Sequence, residues 1–286
     1  MKNFIALLIT GFSFATPCFS QTSVWEISKN GKTLYLGGSV HILRNEDFPL
    51  PKEYDAAFEK AQLIVFEADI EQISAPEILQ TINAKSILPG DQTLQSILDK
   101  STYEQLEAVC TKLSLPIEKL QKIKPAMLLN SLLALQIQQL GFTVQGVDVY
   151  YFSKAKEAGK ETGFLETLDR QIAILTGLGE GYENEYVQYS LEELKKTEED
   201  MPILISSWRK GVFDELLPDM LLSKEKFPTG YHALFTDRNN DWIPKIENYL
   251  LGDKVAFVIV GLAHLHGSDG LLELLKNKGY EVKQVK

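Results

Sequence analysis

The run Val255-Ala256-Phe257-Val258-Ile259-Val260, followed at once by Gly261-Leu262-Ala263-His264, decides the fold. Six apolar residues without a polar interruption, rich in β-branched side chains, suit a strand buried on both faces of a parallel sheet. A second such run, Leu63-Ile64-Val65-Phe66, ends in Glu67-Ala68-Asp69. Strands of this kind need helical layers on both faces, so an α/β fold is expected.

Outward from these runs, the amino-terminal side holds two more strand-like segments, Val24–Ser28 and Thr33–Val40, joined through Asn30-Gly31. Asn-Gly between such segments signals a tight hairpin. Pro51–Ala61 carries Tyr54, Ala57, Phe58 and Ala61 at helical spacing behind a proline. From about residue 71 to 140 the pattern is helical. Ser101 and Glu104 have the spacing of a capping box, and Pro125 and Gly141 bracket a long apolar helix. Gly146–Gly159 reads as a helix and Thr162–Leu165 as a short strand. Leu168 to about Leu222 is mostly helical, with Glu192–Asp200 as a solvated face. A helix over Tyr231–Leu250 precedes the central strand; helix Gly270–Lys278 and strand Glu281–Val285 finish the chain. The expectation is an α/β fold: a central mixed sheet built from N- and C-terminal strands, with a large, mostly helical insertion over roughly residues 71–250. Residues 21–286 are read as a single domain.

The 286 residues carry a formal charge of −10, which argues against nucleic acid and anionic lipid as partners. The first twenty residues read as a Sec-type signal peptide: Lys2, an apolar stretch from Phe4 to Phe14, and small residues ending at Ser20. An exported protein, periplasmic or secreted, is expected. Cys18 suggests a lipoprotein, but Pro17 stands where a lipobox needs a small residue, so lipidation is the disfavoured option. No later segment approaches the length of a membrane span, so no stable membrane insertion is expected. Beyond the leader only Cys110 remains, on an apolar helical face with Leu106, Val109 and Leu113, as a buried thiol would be.

Among four histidines, two occupy matching places. His41 ends Gly38-Ser39-Val40-His41 after one strand, and His264 ends Gly261-Leu262-Ala263-His264 after another. One G-x-x-H carries little information; two at strand ends in a histidine-poor chain carry more, because strand carboxyl ends line the ligand crevice of an open α/β sheet. Gly38 and Gly261 would let the backbone approach a bound cofactor closely. Glu67 ends a third strand, with Asp69 two residues on as its possible substitute. His41, His264 and Glu67 together suit an open divalent-metal site, which would polarise a carbonyl and acidify a bound water. His266 is expected in the loop, and His232 on a helix. A second group comprises Glu166, Gln171, Arg238 and Asn239, arginine being a natural fork for a carboxylate.

These segments resemble the TraB/GumN family, which groups with the TIKI proteins of animals. The resemblance runs through Leu36–His41, Val65–Asp69, Lys124-Pro125, Gly146-Val147-Asp148, Leu165-Glu166-Thr167 with Gln171, Arg238-Asn239, and Val260–His264. It implies a metal-dependent hydrolase of metalloprotease type acting on a peptide or protein substrate. Manganese or cobalt is favoured as the cofactor, with zinc as a further option. It also implies metal ligation by His41, His264 and Glu67, and catalytic or pocket roles for Glu67, Glu166, Arg238 and Asn239. In the mechanism expected, Arg238 and Asn239 stabilise an oxyanion or grip a substrate carboxylate. The alternative is a non-catalytic periplasmic protein that sequesters a peptide, haem or metal in the same crevice.

Overall fold

The computed structural model describes residues 22–286; the leader read in residues 1–20 lies outside the described residues. The central run forms β5 (Ala256–Gly261), the third of six strands in a sheet ordered β4-β3-β5-β2-β1-β6. Its neighbours β2 (Lys32–Ser39) and β3 (Leu63–Phe66) both run parallel to it, and β4 (Glu161–Phe164) runs parallel to β3 at the edge. The hairpin partner β1 (Val24–Lys29) is antiparallel both to β2 and to β6 (Glu281–Gln284). The sheet is therefore mixed and draws on both ends of the chain, as the sequence predicts. The hairpin turns at Asn30 and Gly31, both at positive φ (52° and 77°), the conformation that favours the Asn-Gly pair.

Two-residue alternation sorts β5 onto two cores. Phe257 and Ile259 face Tyr54 and Phe58 of helix Lys52–Lys60, Tyr151 and Phe152 of helix Val147–Glu157, and Trp208 near the end of helix Glu183–Lys210. Ala256, Val258 and Val260 face Trp242, Ile243 and Ile246 of helix Asp237–Leu251 and Leu271, Leu272 and Leu275 of helix Leu271–Asn277. Both faces are thus covered, which explains the unbroken apolar run. A third core joins helices Lys100–Lys112, Pro125–Gln139 and the first half of Glu183–Lys210, with Cys110 fully buried in it. Along that long helix Val187, Leu191, Leu194, Thr197 and Met201 face inward while the charged run points largely to water.

Two local expectations are corrected. The cap of helix Lys100–Lys112 is Asp99, whose carboxylate accepts from the Thr102 amide at 2.8 Å; Ser101 lies inside the first turn. The segment Tyr231–Leu250 is not one continuous α-helix either. A π-turn, His232–Thr236, separates the short helix Pro228–Tyr231 from Asp237–Leu251. No helix among the described residues is long and apolar enough to cross a membrane.

Candidate active site at the carboxyl ends of the parallel strands

The four parallel neighbours β2, β5, β3 and β4 deliver His41, His264, Glu67 and Glu166 from their carboxyl ends. His41 lies two residues past β2, His264 three past β5, Glu67 one past β3 and Glu166 two past β4. Helix Asp237–Leu251 adds Arg238 and Asn239 from its first turn. With Gln171, which donates to Glu67, the seven polar residues of the two groups singled out in the sequence therefore meet at one end of one sheet.

The inner part of the centre is an ion-pair cluster around Arg238. Its Nε donates to Glu166 at 3.1 Å, and its Nη2 to Glu166 at 2.7 Å and to Glu67 Oε2 at 2.6 Å. Its Nη1 reaches the Leu234 carbonyl and His264 Nε2, each at 3.0 Å. All five guanidinium N–H groups are thus engaged. The π-turn makes the Leu234 contact available: there the Asp237 amide bonds five residues back, to His232, out of step with the α-helical ladder. Asn239 is equally committed, donating to the Asp269 carbonyl at 2.8 Å and the His264 carbonyl at 3.3 Å, with its Oδ1 facing His264 Nδ1 at 2.7 Å. The expectation that Arg238 and Asn239 meet substrate is revised on this geometry, since both spend their donors on holding Glu67, Glu166 and His264.

His264 is 4% exposed and lies between Phe235 and Trp242, at ring-centre distances of 5.2 and 4.5 Å. Burial lowers its pKa to about 3, outweighing the attraction of Glu67, so the ring is neutral. Its partners assign the tautomer: Nδ1–H donates to Asn239 Oδ1, and Nε2 keeps the lone pair. Glu67 is ionised. Burial works against its charge, but His264, Arg238, His41 and the Gly261 amide together hold its pKa at about 2. That amide donates to Oε1 at 2.7 Å, while Oε2 takes Arg238 and, at 3.1 Å, Gln171.

His41 is the outer member, with 62% of its ring exposed. Its Nδ1 faces Asp148 Oδ2 at 3.2 Å. Desolvation pulls its pKa down, but the hydrogen bond and charge of Asp148, helped by Glu67, raise it to about 9. The fixing element is the start of helix Val147–Glu157. Gly146 lies so close that a Cβ there would stand 2.3 Å from the Val40 carbonyl oxygen and 2.5 Å from His41 Cα. The Val147 amide then donates to Val40 O at 3.0 Å.

Gly261 marks the point of convergence. A Cβ there would stand 3.3 Å from Glu67 Oε1, 3.5 Å from His264 Cδ2 and 3.7 Å from His41 Nε2. Gly38 is different. A Cβ on it would meet Leu262, Leu265 and Ser23, and its carbonyl accepts from Trp208 Nε1 at 3.0 Å and from the Tyr54 hydroxyl. It is a close-packing glycine of the core, and the expectation that it approaches a cofactor is corrected. Asp69 turns away to cap the next 3-10 turn, accepting from the Glu71 amide and Gln72, so Glu67 alone faces the centre. His266 stacks on Phe213 at 4.9 Å outside the centre, and His232 faces Asp237 at 3.8 Å on the π-turn. A cavity of about 480 Å³ is lined by Asp69, Gln72, Ile78, Glu166, Leu168 and Lys245, but by none of His41, His264, Glu67 and Arg238.

Among the described residues no three His, Cys, Asp or Glu side chains close into a metal-holding cluster. The ready-made triad expected from the sequence is corrected accordingly: His264 Nε2 and Glu67 Oε1 stand 4.0 Å apart, and Arg238 bonds both side chains. In kind the donors fit a divalent ion. Both imidazoles have Nδ1 committed to an oxygen acceptor, the usual support for Nε2 ligation, and Glu67 Oε1 adds a carboxylate oxygen beside them. Sequence reasoning missed Asp148 and Asp269 as supports. Asp148 had a signal in Gly146-Val147-Asp148, though none that tied it to His41. Asp269, whose carboxylate takes Lys224, Tyr231 and Thr236, had none.

One consequence concerns acid. The unfolded chain protonates His264 near pH 6.5 while the folded chain resists until about 3, so stability falls as pH drops through that window. His266, lowered to about 4 by burial, acts with the same sign. Glu67 adds a further loss between its ordinary value of 4.5 and about 2. Urea unfolding at pH 7 and pH 5 is expected to show a loss for which His264 alone accounts for about 2 kcal/mol. His264→Asn should show a smaller drop; an equal drop would mean that His264 is not held neutral.

Comparison with known proteins finds relatives at low identity over most of the chain. Metalloprotease TIKI1 of Xenopus tropicalis is 23% identical over 314 residues, covering 91% of this chain and 60% of the frog protein. Metalloprotease TIKI1 of Homo sapiens is 21% identical, with 91% and 61% covered, so the chain spans about three fifths of these relatives. Uncharacterized protein YbaP of Escherichia coli K12 is 24% identical over 245 residues, covering 85% of this chain and 87% of its own length. No solved structure matches. The family model described as TraB/PrgY/gumN matches residues 23–284, almost the whole described chain and every residue of the centre, and the chain therefore belongs to the TraB/PrgY/gumN family.

Proposed function

We propose that this chain is a divalent-metal-dependent hydrolase that cleaves peptide bonds, with manganese or cobalt as the favoured ions. The observation that carries the reading is the convergence of His41 Nε2, Glu67 Oε1 and the edge of the His264 ring on the bare face of Gly261, with His264 Nε2 4.0 Å from Glu67 Oε1. The relatives named metalloproteases support the same chemistry. His41, His264 and Glu67 would hold the ion. When bound, it supplies a Lewis acid for a carbonyl and lowers the pKa of water.

The protein's own groups divide the remaining work. Arg238 fixes Glu67, and Arg238 and Asn239 fix His264, which lies desolvated between Phe235 and Trp242, where electrostatic interactions are strong. His41, open to solvent and oriented by Asp148, is the outermost of the three and the one placed nearest to an arriving substrate. The leader read in residues 1–20 supports placing the activity outside the cytoplasm.

One observation favours the alternative of binding without turnover: Arg238 and Asn239 have no uncommitted N–H to offer an oxyanion. A peptide library incubated with purified protein and Mn²⁺ or Co²⁺, read by mass spectrometry, separates the two. Cleavage that falls at least about 100-fold in both His41→Ala and His264→Ala is the outcome expected of the hydrolase. Saturable peptide binding with no product would establish the alternative.

A further inference from the structure

His41 occupies the most exposed place in the centre, yet its ring orientation is set by a chain of contacts that runs inward. Asp148 Oδ2 faces His41 Nδ1 at 3.2 Å, and Asp148 Oδ1 accepts from the Ser39 hydroxyl at 2.9 Å. The Ser39 oxygen in turn lies 3.3 Å from the Asp148 amide, which donates to it. Ser39 is 2% exposed and stands behind Asp148, on the far side from the imidazole, so this trio is no nucleophile triad. The hydroxyl has a single proton. Because its oxygen already receives the amide, that proton must find an acceptor, and Asp148 Oδ1 is the acceptor in place.

We propose that Asp148, oriented by Ser39, is a positioning residue that fixes His41 as the Nδ1–H tautomer and so keeps the Nε2 lone pair on the side of Glu67 and Gly261. The role deepens the hydrolase reading, and it rests on that reading only for its consequence in catalysis. The tautomer is a property of the free protein. A carboxylate does this without ambiguity, since it accepts at both oxygens. An amide cannot. In Asp148→Asn the Ser39 hydroxyl still needs its acceptor, so the amide oxygen turns to Ser39 and the NH₂ group turns to His41. An NH₂ facing Nδ1 requires a bare Nδ1, which moves the ring proton to Nε2 and removes the lone pair from the centre. Replacing Ser39 as well lifts the constraint: in the double variant Ser39→Ala/Asp148→Asn the amide is free to rotate and present its oxygen to Nδ1–H.

The test is ¹⁵N NMR of the metal-free protein, ring-labelled at histidine, at about pH 10.5, well above the pKa of about 9 of His41, with its signals assigned by their loss in His41→Gln. Wild type and Ser39→Ala should show a protonated Nδ1 and a bare Nε2. Asp148→Asn should show the reverse, and the double variant should return to the wild-type pattern. Mn²⁺ affinity should follow, falling about 10–100-fold in Asp148→Asn and recovering in the double variant. Thermal melting of each protein establishes that it is folded, and Asp148→Ala, which should leave the tautomer unset, replaces Asp148→Asn if that variant does not fold. A wild-type tautomer in Asp148→Asn, or a double variant that stays reversed, would overturn the proposal. Failure to cleave any peptide would sink the hydrolase reading while leaving the tautomer result untouched.

Discussion

Arg238→Ala is expected to cost about 3–5 kcal/mol of folding stability, the usual consequence of leaving buried charges without their partner. Glu166 has a fully buried side chain and Glu67 one only 11% exposed, and Arg238 is their main neutralising group. Arg170 helps only at the margin, at 3.9 Å from Glu166 and already paired with Asp241 at 2.6 Å. Such a loss corresponds to a melting point lower by about 6–20 °C. The cause can be isolated with the double variant Arg238→Ala/Glu166→Gln, which removes one stranded charge and should recover part of the loss. Calorimetry and denaturant titration give both numbers. A single-variant loss below about 1 kcal/mol would show that the cluster is not electrostatically coupled as described.

The second large effect is expected from a methyl group. Gly146→Ala places a Cβ 2.3 Å from Val40 O and 2.4 Å from the His41 carbonyl carbon. Both are backbone atoms, which cannot step aside as a side-chain tip can. Gly146 itself has φ −76° and ψ −177°, which alanine adopts freely, so the whole effect comes from the collision. The helix start and the β2 end must separate, carrying His41 away from the convergence at Gly261. Overpacking of this kind costs about 1–3 kcal/mol, and displacing a reacting group by about 1 Å can lower turnover about 100-fold. Gly177→Ala is the control, since a Cβ there meets nothing within 4 Å. Loss of hydrolysis or metal uptake in Gly146→Ala with Gly177→Ala unaffected is the expected result; a Gly146→Ala protein indistinguishable from wild type would contradict the bracket.

Much of this centre was legible in the chain because strand ends are legible. The unbroken run before Gly261 and the shorter one before Glu67 identify buried parallel strands, and parallel strands place their carboxyl ends together. His41, His264 and Glu67 follow from that alone, and the Asn30-Gly31 hairpin joins the first strand to the second. What side chains do across the fold was less accessible. Asp148 meets Ser39 across 109 positions, and no local periodicity encodes that contact. Glu67 and Asp69 are two residues apart at the same strand end, and only the 3-10 turn that Asp69 caps decides which faces inward. Arg238 looked free to bind substrate because a sequence does not show that Leu234, Glu67, Glu166 and His264 already claim its five N–H groups. The π-turn before it was invisible for a related reason: the Asp237 amide bonding to His232 is a backbone choice that the residue types of Tyr231–Leu250 do not display.

The central claim is that the two G-x-x-H elements, brought together from opposite ends of the chain, serve one metal centre with Glu67. Its most direct test is plasma mass spectrometry of purified protein equilibrated with Mn²⁺, Co²⁺ or Zn²⁺, set beside His41→Ala and His264→Ala prepared in the same way. About one ion per chain in wild type, lost in both variants, is the expected result. No uptake of any of the three ions by the wild type, or wild-type content in either variant, would contradict it.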